Sequence, residues 1–166
     1  MTEVEFAHQL SDLVNTAQRL NAESDSVNDL IRRFEQTLCR INVGLDVWPV
    51  ALQSERWVEE EDDWSKPRGT RDTELGFAKV DDAWRLATRK VRYDTSSGSA
   101  TPHIPRLHAV DEVRSLLDAP RETRIAALAH FPDIVTALKQ EADSALEKIE
   151  AAKAFVVGGK QVTKSK

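Results

Sequence analysis

Cysteine is almost absent: Cys39 is the only one in 166 residues. No intrachain disulfide can form, and no zinc site built on several cysteines can exist. Basic charge in excess is absent too. The chain carries a net charge of -5 and a pI near 5.4, the opposite of a global nucleic-acid footprint. Any such role has to come from a local patch. No apolar run approaches the ~18 residues of a membrane span, so no membrane partner is expected. The first residues, MTEVEFAHQLSDLV, lack the basic and apolar regions of a secretory leader. The expected location is the cytoplasm, with which a single reduced cysteine agrees.

Catalytic signatures are missing as well. The sequence has no P-loop, GxGxxG, GxSxG, HExxH or CxxC. Gly158-Gly159 is followed by no strand–loop–helix pattern. His103 and His108 fall around prolines at a spacing that fits no standard helical ligand pair. His8 stands alone, and His130 adjoins Phe131-Pro132 at a helix junction, where capping or packing is the expected role. The acidic run Glu59–Asp63 lacks the glycine turn and ligand spacing of a calcium loop. Cys39 has no assured histidine partner for nucleophilic work. No catalytic residue, metal ligand or cofactor is therefore assigned.

What is present is an ordinary globular balance, 40% apolar and 31% charged, in a length that suits one domain. The strongest pattern is a seam of apolar positions: Phe6, Leu10, Leu13, Ala17, Leu20, Val27, Ile31, Phe34, Leu38 and Ile41. Steps of four and three alternate, and only Ser24 interrupts them. This is a heptad-like repeat of about five heptads. Phase is kept across Asn21–Ser26, which favours one long helix over residues 2–42. Two helices broken at that polar stretch are the alternative. Asn42-Val-Gly44 marks the end, because Asn and Gly tolerate positive φ.

From residue 43 to 93 the period changes to two, as in a small antiparallel sheet. Val47–Leu52 and Arg56–Val58 read as short strands, with Pro49 at an edge or bulge because it cannot donate to a ladder. Leu75–Tyr93 reads as a hairpin turning at Asp81-Asp82. Leu75, Phe77, Trp84 and Leu86 are its expected packing residues. Trp48, Trp57, Trp64 and Trp84 all fall in this region and are expected in the core, except Trp64, which sits in a charged loop.

Residues 94–105 form a Ser/Thr/Gly/Pro loop. Residues 106–157 are read as helical: Ala109–Asp118 with Val110, Val113, Leu116 and Leu117, then Pro120–His130, then a long helix over Pro132–Val156. Its stripe is Ile134, Leu138, Ala142, Ala145, Ile149, Ala152 and Val156. The slim alanine stretch suits close approach by the bulky N-terminal seam. Residues 158–166 are expected to form a frayed basic tail. The expected fold is α+β: N- and C-terminal amphipathic helices packed together around a small sheet, as one domain over residues 1–157.

Two features carry functional content. Residues 66–92 hold Lys66, Arg68, Arg71, Lys79, Arg85, Arg89, Lys90 and Arg92 against Asp72, Glu74, Asp81 and Asp82. Arg85, Arg89, Lys90 and Arg92, with Trp64, are candidates for an interaction surface. The favoured reading of the segment is that it pairs with the neighbouring acidic residues 55–63; a nucleic-acid role would instead use this hairpin face and the basic tail. The second feature is the seam, whose Leu13, Ile31 and Leu38 are expected to be buried. A partner helix of roughly 37 Å cannot cover one of about 60 Å. Around a third of the seam is left for the sheet, the shorter helices or another chain. The sequence thus points to a non-enzymatic protein–protein interaction or oligomerisation module, with a coiled-coil-like helix and a homodimer as the favoured assembly. A nucleic-acid-associated protein is the alternative, and an enzyme with an unrecognised site the second alternative.

Overall fold

A computed structural model describes residues 3–58, 68–94 and 106–158. Helix α1 runs without a break over Glu3–Ile41, the single helix that the uninterrupted heptad phase predicts. Asn42 and Gly44 take positive φ values of 53° and 68°, which ends the helix where the sequence placed its stop.

Four antiparallel strands follow in the order β1 (Val47–Val58), β2 (Arg68–Val80), β3 (Ala83–Asp94) and β4 (Arg106–Ser115). Strand β1 is an edge, and its register shifts between Val47 and Val50, across Pro49. The missing N–H of proline is thus accommodated at a bulge on an edge strand. Asp81 and Asp82 both adopt positive φ, 48° and 64°, the two-residue turn that suits the twist of a hairpin.

Strand β4 is a correction to the expectation that residues 106–157 are helical, with a first helix over Ala109–Asp118. Only Leu116–Asp118 of that first helix is helical, as a short 3-10 turn capped by Ser115 Oγ. Val110 and Val113 are exposed on this edge strand, and β3–β4 pairing shifts register twice. Their i,i+3 spacing therefore comes from an irregular edge, not from a helical face. Helices α2 (Arg121–Leu128) and α3 (Phe131–Gly158) then follow near their expected positions.

The core forms where α1 and α3 lie against one face of the sheet. Leu75, Phe77 and Leu86 are buried with Ile31 and Leu38 of α1 and Ile134 and Leu138 of α3. Phe77 stacks on Trp84 with centroids 5.6 Å apart. The two long helices touch through Phe34 and Phe131, whose rings stack at 4.3 Å. A recess of about 160 Å³ between Leu38, Ile41, Val135 and Leu138 continues this seam. Beyond that stack α3 lies chiefly against β1, and α1 against β3 and α2. The close approach expected between the alanine stretch of α3 and the N-terminal seam is therefore not made: the start of α3 is taken up by the sheet, and Ile149 and Val156 further along are exposed.

Helix α1 also finishes the sheet. Pairing between β3 and β4 ends at Ala87–Ser115, which leaves the first part of β3 with unpaired backbone groups. Glu35 Oε2 accepts the Leu86 amide at 2.9 Å. One turn later, the Cys39 thiol donates to the Trp84 carbonyl at 3.3 Å. Two side chains at i and i+4 on one helix thus stand in for a missing strand, a way of covering an open edge.

Candidate interaction surface

The seam splits into two halves. In the C-terminal half, Ile31 and Leu38 are 0% and 4% exposed, and Val27 and Phe34 pack against the core. Ile41, the last seam residue, is exposed. In the N-terminal half, Phe6, Leu10 and Leu20 are each nearly half exposed. Leu13 is 63% exposed, against the expectation that it would be buried. The physical reason is reach: α3 begins beside Phe34 and leads away from the first half of α1.

The boundary between the halves is Ser24, which is buried. There α2 meets α1: Arg121 donates to Asn21 at 3.1 Å, and Arg124 donates to Asn28 at 2.5 Å. The one polar residue in the seam therefore lies where another helix of the same chain docks, between two asparagines that accept from it. Up-chain of Asn21 the stripe is open, with Val14 widening it.

The basic candidates of the hairpin do not share a face. Strand β3 alternates, so Arg85 and Arg89 project to one side and Lys90 and Arg92 to the other. Each has an acidic neighbour: Arg85 lies 3.5 Å from Glu35, Arg89 2.7 Å from Glu74, Lys90 3.5 Å from Glu112, and Arg92 2.9 Å from Asp111. Trp64, the acidic run Glu59–Asp63, the loop 95–105 and the tail 159–166 lie outside the described residues.

Arg89 belongs to a knot that the sequence did not reveal. Glu74 is nearly buried and holds Arg89 Nε at 2.7 Å on one oxygen and the Tyr93 hydroxyl at 2.5 Å on the other. The Arg89 guanidinium lies 4.3 Å over the Trp48 ring. Burial and the Glu74 carboxylate push the Tyr93 phenol up to about 12. These groups satisfy one another, so the knot reads as sheet architecture. The Glu35–Cys39 pair behaves similarly. Burial raises the Glu35 carboxyl, and burial together with Glu35 raises the Cys39 thiol, the reverse of what a nucleophile requires.

His130 accompanies the start of α3: its ring Nδ1 lies 2.9 Å from Asp133, and its carbonyl accepts the Ile134 amide. Among the described residues, no group of three or more His, Cys, Asp or Glu side chains is placed to hold a metal ion. None of the described helices is long and apolar enough to cross a membrane. Comparison with protein-family models, curated proteins and solved structures returns no match.

Proposed function

We propose that this chain is a non-enzymatic interaction module that self-associates through the first half of α1. The observation that carries this reading is the open stripe Phe6, Leu10, Leu13 and Leu20 on a helix that continues past its own core. A contiguous apolar stripe of this kind marks an interaction site. A second copy is the partner that its flanks suit. The positions beside the stripe are Ala7, Gln9, Val14 and Thr16, all uncharged. Two such faces meet without like-charge repulsion in either orientation.

The first half of α1 spans only about 27 Å over residues 3–20, so association depends on concentration. A cytoplasmic location belongs to the same proposal, on the strength of a lone cysteine engaged as a thiol.

Light scattering across a micromolar dilution series tests the proposal. The expected result is a mass above 18.6 kDa that falls to the monomer on dilution, and a monomer at every concentration for Leu10→Asp with Leu13→Asp. A wild-type protein that stays at 18.6 kDa throughout overturns it.

A further inference from the structure

The face of the sheet that carries the helices does not end with them. Beyond Leu75 and Leu86 it turns polar, and cross-strand partners line up there: Gln53 opposite Thr73, Thr73 opposite Lys90, and Thr88 opposite Arg114. A cavity of about 240 Å³ opens at this place. Arg71, Lys90 and Arg114 converge on it from β2, β3 and β4, together with Gln53 and Thr73. Pro120 and Thr123, at the start of α2, close the side opposite the strands.

Three properties of this cavity point to one kind of ligand. The first is its charge. Arg71 has no ion-pair partner among the described residues, and Lys90 and Arg114 share the single carboxylate of Glu112 at 3.5 Å and 3.3 Å. Long pairs to a part-exposed carboxylate are weak, so both side chains can turn to a competing anion. The second is the helix start. Pro120 is the N-cap of α2 and offers no side-chain hydrogen bond to the first turn. The amides there lack intrahelical partners and carry the positive end of the helix dipole. The third is the remaining lining: the hydroxyls of Thr73 and Thr123 and the amide of Gln53 can donate to oxygens. Glu55 also lines the cavity. It opposes an anion, which sets a limit on affinity and supplies a control.

We infer that this cavity binds a small oxyanion of the phosphate class, held by Arg71, Lys90, Arg114 and the first turn of α2. The site lies apart from the open seam of α1 and does not depend on the self-association proposed above.

Inorganic phosphate is the probe. Titration of the full chain at constant ionic strength, followed by amide NMR, reads binding at residues 71, 90, 114 and 121–123. A second arm with glycerol phosphate separates free phosphate from a phosphoryl group on a larger molecule. The expected result is saturable binding in at least one arm, centred on those amides. It weakens by about tenfold or more in Arg71→Gln and in Arg114→Gln, as loss of a charge-assisted hydrogen bond implies, and tightens in Glu55→Gln. Thermal melts of the variants establish that each is folded. Shifts that do not saturate in either arm overturn the inference. So does binding that Arg71→Gln and Arg114→Gln leave unchanged.

Discussion

Glu35 of α1 accepts the backbone amide of Leu86 at 2.9 Å from a position 51 residues earlier in the chain. The bond occupies an edge of β3 that β4 does not reach. Glu35→Ala leaves that amide without its acceptor, at a cost of about 1–3 kcal/mol. Glu35→Gln keeps an acceptor oxygen and is expected to be far milder. The pH dependence has a definite sign. Burial raises the Glu35 carboxyl above its ordinary 4.5, and this outweighs the Leu86 hydrogen bond and Arg85. The folded state therefore favours the protonated form. The corresponding stability is fully present below 4.5 and is lost as pH rises through the folded value. Denaturant melts of wild type and Glu35→Gln between mildly acidic and neutral pH should diverge in that direction.

The two halves of the α1 seam predict opposite outcomes for the same kind of substitution. Ile31→Ala removes a fully buried side chain and should cost ~2–5 kcal/mol. Leu13→Ala, at 63% exposure, should change the stability of the dilute protein by no more than about 0.5 kcal/mol. Chemical denaturation at low protein concentration makes the comparison. A large loss in Leu13→Ala would mean that its surroundings are packed.

Gly76 of β2 lies against Val47 and Trp48 of β1. A Cβ at this residue would run into the Val47 carbonyl oxygen and lie 2.6 Å from Cε3 of Trp48. Gly76→Ala should therefore destabilise by roughly 1–3 kcal/mol or more, the scale of overpacking. Because a backbone oxygen is in the way, truncating Trp48 should not rescue it. Thermal melts of the single and double variants test both statements.

Tyr93 is the only tyrosine in the chain, so its absorbance titration reads one group. The phenol is expected to ionise near 12, held there by burial and by Glu74. Glu74→Gln should move the midpoint down towards 10.0, the ordinary value. Since the folded value is raised, the associated stability is intact below pH 10 and disappears between pH 10 and about 12. A midpoint near 10 in the wild type would show that the Tyr93–Glu74 bond is not formed.

Regular periodicity made parts of this molecule legible. The unbroken 4-3 spacing from Phe6 to Ile41 is the single helix α1, and the paired aspartates at 81 and 82 are the hairpin turn. Pro49 announced a bulge on an edge strand. Local irregularity hid the rest. Strand β4 has register shifts and half-covered valines, so its spacing imitates a helix. Arg114 was lost with it, and with Arg114 the convergence of three cations that only strand pairing brings together. Glu35 carried no signal either, since its role depends on where β4 stops. Seam spacing alone also could not say where cover from the other helices would end, which is why Leu13 was expected inside.

The length of α1 has a consequence for the molecule as a hydrodynamic object. A straight rod of 39 residues is about 58 Å long and has a radius of gyration of about 17 Å. A compact chain of 166 residues would have about 15 Å. One helix is thus broader in its mass distribution than the entire chain would be if rolled into a ball. Small-angle scattering should give a distance distribution with a long tail, and sedimentation should be slower than the mass implies. As it tumbles in solution, such a particle sweeps its exposed leucines through a wider shell than a sphere of equal mass.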